Sequence, residues 1–267
     1  MKPCSTKKRR TDTSISIRQW DSITPEILSL ILIHLPAEEL IQSIQFVCKS
    51  WRETITGPYC WTQIDIESWC RRRNNQILIE RGVIDLVRRS DGTCTSFSAF
   101  KLTNAAFSFV PHSLKRLKVL KIPMSDLTDK MLIKHVASLK LLTFVDISYC
   151  VKITCKGIEA LGKSCTSLVR LRRNIPPPEW QQDIGALSSK KDDSEALVVA
   201  NTMPGLCHLE LAYGCFTDLG LDAILAKCRN LTRLDIIGCY GVKLEGDLED
   251  RCGRLPMFRP PWDDDFF

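Results

Sequence analysis

The chain has 267 residues, 37 basic and 31 acidic, for a formal charge of +6, and 44% of its residues are hydrophobic. That apolar content supports a real core and excludes a disordered or fibrous chain. Residues 1–10 hold five basic groups and no acid, so residues 11–267 carry 32 basic against 31 acidic groups, and a body so close to neutral lacks the basic surface that nucleic-acid binding needs. The longest strongly apolar run, residues 27–35, contains Ser29 and His34 and falls short of the roughly 20 residues that span a bilayer. No apolar stretch ahead of a cleavage site marks the amino terminus as a secretory signal. The expectation is a protein of the nucleus, the cytoplasm or both, with no membrane partner. In a reducing compartment its 13 cysteines act as small buried hydrophobes or as metal ligands. No two are spaced CxxC, which argues against a zinc knuckle or a thioredoxin-like site.

In chain order, residues 1–18 read as a basic tail, in which Lys7-Lys8-Arg9-Arg10 is either a nuclear import signal or a solvated run. A helix start follows: Thr24 offers a capping hydroxyl, Pro25 suits the first helical position, and Glu26 favours the positive dipole end. The helix runs to about Leu35 and is apolar almost all round, at Ile27, Leu28, Leu30, Ile31, Leu32, Ile33 and Leu35. Pro36 stops it. A second short helix, Ala37 to about Ile44, leads into a third carrying Val47, Cys48 and Trp51. About 40 residues cannot bury an all-round apolar helix, so one face is meant for another protein.

These residues resemble the F-box: Trp20-Asp21-Ser22-Ile23, Pro25-Glu26-Ile27-Leu28, Leu35-Pro36, Val47-Cys48-Lys49-Ser50-Trp51, and Pro58 with Trp61, within residues 19–62. The proline stands one position later than in the usual Leu-Pro-x-Glu opening, a variant associated with plant F-box proteins. The resemblance implies that Trp20, Ile23, Pro25, Leu28, Ile31, Leu32, Leu35, Val47 and Trp51 meet a Skp-type adaptor, and through it a cullin-RING assembly.

Residues 63–112 read as a linker with a degenerate first repeat, comprising a helical stretch at 76–87, a turn at Ser90-Asp91-Gly92 and a strand-like segment from Phe97 to Leu102. Arg71-Arg72-Arg73 is either a phosphate patch or, with Asp65 and Glu67 close by, a solvated connector. From 113 to 252 the chain repeats itself. The frame LxxLxL recurs at Leu117-Leu120-Ile122, Leu142-Val145-Ile147, Leu168-Leu171-Arg173, Leu206-Leu209-Leu211 and Leu231-Leu234-Ile236, with spacings of 25, 26, 38 and 25 residues. Ser125, Cys150, Pro176, Gly214 and Cys239 follow each start by eight positions, Thr128, Thr154 and Thr217 offer helix caps, and Cys165, Cys228 and Cys252 close helices. The long spacing places an inserted loop at 176–193, with a delayed helix at 195–200. Residues 253–267 read as a tail.

The pattern resembles the cysteine-containing leucine-rich repeat common in F-box proteins. The expected fold is α/β: a three-helix F-box followed by a short right-handed solenoid with parallel strands concave and helices convex. Strand residues alternating with the core leucines then form two concave rows. The first is Val119, Phe144, Arg170, His208 and Arg233, and the second is Lys121, Asp146, Arg172, Glu210 and Asp235. Phe144, Arg170, Arg172, His208, Glu210 and Arg233 are the candidate target-binding residues, since arginine and aromatic side chains anchor protein interfaces. The inserted loop and the tail, with Trp262, Phe266 and Phe267, are the alternatives.

No catalytic residue, cofactor or metal is expected. His34, His112, His135 and His208 fall in no catalytic motif, Asp263-Asp264-Asp265 reads as a solvated acidic run, and the position of Cys150 in the repeat explains it without a redox pairing to Cys155. The resemblance to plant Skp-interacting F-box proteins implies a non-catalytic substrate adaptor of an SCF-type ubiquitin ligase. The alternative is a repeat scaffold or inhibitor that binds the Skp adaptor without promoting degradation.

Overall fold

The computed structural model describes residues 20, 23–181 and 191–262; Lys7–Arg10, Asp263–Asp265, Phe266 and Phe267 lie outside them. The chain divides into two units at the Cys60/Trp61 junction.

The first unit contains α1 (Pro25–Leu32), α2 (Ala37–Gln42), a 3₁₀ turn at Ile44–Phe46 and α3 (Lys49–Thr56). Thr24 is the N-cap residue of α1, but its side chain makes no capping hydrogen bond; its carbonyl accepts the Leu28 N–H at 2.9 Å. Proline at the first helical position makes the missing bond cheap, because one of the four orphan N–H groups is absent from the start. The third helix begins later than the sequence implies. Val47 and Cys48 precede it, with extended Cys48 as its N-cap. Leu28, Leu32, Leu40 and Ile55 form the interior.

The second unit is one parallel sheet in strict chain order: β1 (Gln63–Asp65), β2 (Ser96–Ser98), β3 (Val119–Lys121), β4 (Phe144–Asp146), β5 (Arg170–Arg172), β6 (His208–Glu210), β7 (Arg233–Asp235) and β8 (Met257–Arg259). Helices α4 (Glu67–Arg73), α5 (Gln76–Arg89), α6 (Asn104–Ser113), α7 (Asp129–His135), α8 (Cys155–Ser164), α9 (Pro178–Gln181), α10 (Ser194–Thr202), α11 (Asp218–Lys227) and α12 (Leu248–Gly253) lie between the strands. The sheet therefore extends past both ends of the expected 113–252 repeat region, with β1 in what reads as linker, β2 at the start of the strand-like segment of the degenerate first repeat, and β8 in what reads as tail. The centres of those three strands are Ile64, Phe97 and Phe258, outside the leucine frame that makes the other five visible.

Every LxxLxL position is buried. Two kinds of polar bond stitch one repeat to the next. In the first, a carboxylate at the start of one helix accepts from the start of the following helix. Asp129 accepts from Thr154 N (2.8 Å), Thr154 Oγ1 (2.6 Å) and Gly157 N (3.1 Å), and Asp193 accepts likewise from Thr217 and Gly220. Gly157 is glycine for this reason, because a Cβ there would stand 2.5 Å from Asp129 Oδ1. In the second, buried thiols donate back one repeat, from Cys150 to the Ile122 carbonyl, Cys239 to Leu211, Cys165 to Leu139 and Cys228 to Met203. A cysteine here is a small hydrophobe with one weak donor. Burial pushes the thiols of Cys150, Cys165 and Cys239 up to about 12.

Two places around the long spacing depart from this pattern. In the repeat before it, Cys155 opens α8 where α7 and α11 open with Asp129 and Asp218, and in the long-spaced repeat itself Arg173 replaces the third apolar residue and Pro176 the thiol. Arg173 is nonetheless buried. It lies 3.1 Å from Glu195 of α10 and donates to the Ile153 carbonyl at 2.7 Å, so its charge is paired, as a buried charge must be. The expected loop at 176–193 is partly structural: Pro178–Gln181 are helical, Asp193 holds the next repeat, and 182–190 lie outside the described residues.

Candidate protein-interaction surfaces

In the helical unit, α1 carries two apolar faces. Leu28 and Leu32 (0% and 1% exposed) point inward, while Ile27 (55%), Leu30 (64%) and Ile31 point outward at the i, i+3, i+4 spacing of one helical stripe. Ile33, Leu35, Phe46, Val47 and Trp20 are also exposed. This corrects part of the expected adaptor surface. Leu28 and Leu32 are core residues and cannot be surface contacts, whereas Ile31, Leu35, Val47 and Trp20 are exposed as a contact requires, as is Pro25. Ile23 is half-buried, and Trp51 is half-buried beneath an edge contact with Trp20, ring centroids 6.0 Å apart. Ile27, Leu30 and Phe46, which the expected adaptor surface leaves out, are exposed as well. An all-round apolar helix has no periodicity to say which face turns inward, and Phe46 sits in a 3₁₀ turn outside any helical stripe.

In the sheet, parallel register places Phe144, Arg170, His208 and Arg233 on adjacent strands in one row, and Asp146, Arg172, Glu210 and Asp235 in the next. The six candidate target-binding residues touch in a continuous chain. The guanidinium carbons of Arg170 and Arg172 lie 4.9 and 5.6 Å from the Phe144 ring centroid, within cation–π range. Arg170 Nε donates to His208 Nδ1 at 2.9 Å, which places the imidazole proton on Nε2. Burial and then Arg170 and Arg233 hold the His208 pKa below its ordinary value. Glu210 lies 2.8 Å from Arg172 and 3.8 Å from Arg233. The mutual pairing leaves a half-buried, pre-oriented polar surface with one aromatic ring capped by arginines.

Among the described residues, no cluster of three or more His, Cys, Asp or Glu side chains could hold a metal ion, and no helix is long and apolar enough to cross a membrane. His112 and His135 lie in edge contact, centroids 5.3 Å apart. Burial is the first cause lowering the pKa of His135, followed by Lys134 and His112. The arginines that end α4 follow the usual preference for cations at a helix C-terminus, and Arg71 pairs with Glu67 at 2.7 Å while its guanidinium stacks 3.9 Å from the Phe100 ring centroid.

Residues 25–67 match the F-box-like family. The chain is 40% identical over 229 residues to the Arabidopsis thaliana F-box protein FBW2, covering 85% of this chain and 70% of that protein. It is 32% identical to the F-box protein SKIP19 of the same plant, with 87% and 74% covered, and 29% identical to F-box protein SKIP1, with 90% and 85% covered. The likeness to these proteins extends through the repeat sheet as well as the helical unit. The chain belongs to the F-box proteins, with a leucine-rich-repeat sheet following its F-box.

Proposed function

We propose that this protein is the substrate-recognition adaptor of an SCF-type ubiquitin ligase. Its F-box docks on a Skp-type adaptor, and its repeats hold a protein target for ubiquitination. The observation that carries the reading is the outward stripe Ile27, Leu30 and Ile31 with Phe46 and Val47, an apolar surface inside the segment that matches the F-box family. Burying one such side chain contributes roughly 1.5–3 kcal/mol, so five together supply ample driving force for a stable partner. The chain carries out no bond chemistry in this reading. It raises the effective concentration of a target lysine beside a charged conjugating enzyme, and it works in the nucleus, the cytoplasm or both.

The test is affinity purification of the tagged chain from plant cells. A Skp-type adaptor and a cullin should co-purify, and at least one other co-purifying protein should accumulate when the chain is removed. Recovery of the adaptor without a cullin and without any accumulating protein would favour the scaffold or inhibitor instead.

A further inference from the structure

Beyond β3, β4, β6 and β7, the residue five places after the strand's first adopts the left-handed backbone region: Met124 (φ 54°), Tyr149 (φ 63°), Tyr213 (φ 59°) and Gly238 (φ 72°). For a residue other than glycine this costs roughly 1–2 kcal/mol. The repeat enforces it, because the N–H of each donates to a carbonyl of the next repeat, at Ser148, Asn174, Ile237 and Pro261, over 2.7–2.8 Å. The strain is therefore common to the repeats, and only the side chain held there differs. In two of them it is a tyrosine, and burial pushes both phenols above their ordinary pKa.

Tyr149, Tyr213 and Trp262 line a groove of about 730 Å³ together with Arg172, Arg233 and Arg259. It reaches from the repeat of β4 to that of β8, four strand spacings or roughly 19 Å, the span of about six residues of extended chain. An elongated groove of that length suits a peptide better than a compact small molecule. Its charge is asymmetric. The Glu210 and Asp235 side chains are 12% and 13% exposed, whereas Arg172, Arg233 and Arg259 are 35%, 37% and 52% exposed. The Asp235 carboxylate also accepts from the Ile237 N–H. The acids, with Asp146 also 3.9 Å from Arg172, lie beneath the guanidinium groups they pair with, so the charges balance but the groups most exposed to a partner are guanidinium and aromatic.

We propose that this groove binds an extended target segment in which Asp or Glu residues alternate with aromatic or large apolar ones, the carboxylates meeting the three arginines and an apolar side chain packing on Tyr149, Tyr213 and Trp262. This rests on the adaptor reading above and names its substrate class. Singly charged carboxylates fit better than phosphates here, because Glu210 and Asp235 stand beside every arginine in the groove and repel a dianion more strongly.

The test is fluorescence anisotropy of the full chain, co-purified with the Skp-type adaptor, using labelled eight-residue peptides alternating Glu with Phe. The expected result is binding that weakens at least tenfold when Lys replaces Glu and weakens with added salt. Arg259→Gln and Arg233→Gln should each weaken it about fivefold and Trp262→Ala about fivefold, beyond any change that thermal unfolding of the same variants accounts for. Equal binding of the lysine peptide, tighter binding of a phosphoserine version, no binding of the glutamate peptide, or variants without effect would each overturn the inference. Adaptor co-purification is read in the same preparation: its presence beside failed peptide binding sinks this inference alone, and its absence in the wild type sinks the adaptor reading.

Discussion

The two units solve the problem of apolar surface in opposite ways. The helical unit has few residues and one helix that is apolar all round, so after Leu28 and Leu32 are buried, Ile27, Leu30 and Ile31 remain in solvent. The repeat sheet buries its entire leucine frame, because every strand has a neighbour of the same kind to pack against. What it leaves on its strand face is charge already paired within the sheet. One surface is thus suited to obligate burial by a fixed partner, the other to selective, salt-sensitive recognition.

The sharpest way to break this contrast is to change the two faces of α1 separately. Ile27→Glu with Ile31→Glu should abolish adaptor pull-down, a loss of 100-fold or more, because burying unpaired charge costs several kcal/mol, while circular dichroism and thermal unfolding of the repeats stay at wild type. Leu28→Glu should abolish pull-down too, but by unfolding the helical unit, visible as lost helicity and protease sensitivity within residues 25–56. If the surface pair behaves like the core variant, the inward and outward faces are misassigned.

A smaller effect is expected where the sheet tolerates a buried charge. Arg173→Ala leaves Glu195 without its partner and frees the Ile153 carbonyl. It should cost about 3 kcal/mol in a denaturant melt, with the adaptor still bound. A loss below about 1 kcal/mol would mean that the long-spaced repeat is held mainly by its neighbours.

Next comes pH. Burial alone would raise the Asp218 carboxyl, yet the N–H groups of Lys243, Leu244 and Glu245 outweigh it and hold its pKa below the ordinary value. A depressed acid contributes stability that is present above its unfolded pKa, about 4, and is lost as pH falls through the folded value. Asp218→Asn should therefore flatten the stability profile of the repeat unit below pH 4 and cost about 1 kcal/mol at pH 7. An unchanged acid limb would refute the role given to this carboxylate.

The smallest effect is chemical. Cys150, Cys165 and Cys239, with pKa values pushed up to about 12, should resist a thiol reagent at pH 7.5 in the native protein, whereas exposed Cys215 reacts. Rapid labelling of the buried three without unfolding would show that the donor bonds between repeats are not made.

Much of the sheet was legible because its order is written in spacing. Five leucine frames, three threonine caps and the cysteines that close repeats all have positions that only a stacked strand–helix unit explains. Legibility failed where a residue does its work without a periodic signature. Ile64 and Phe258 centre strands that no leucine frame announces, whereas the strand at Phe97 was legible only as part of a degenerate repeat. Thr24 looks like a capping hydroxyl, yet its side chain makes no capping hydrogen bond. On the target-binding side, alternation along the strands found six residues that do touch, but Tyr149 and Tyr213 were passed over because they stand in turns. The signal was available, since both lie five places after a strand's first residue, but it takes known strand bounds to see it.

Hydrogen–deuterium exchange of the full chain, with and without a saturating Skp-type adaptor, tests the central claim most directly. Protection confined to α1 and the adjoining segment through Val47, with strands β3 to β8 unchanged, is the predicted result. Protection of the strand face at Phe144, Arg172 and Arg233, with α1 exchanging as it does in the free chain, would contradict it.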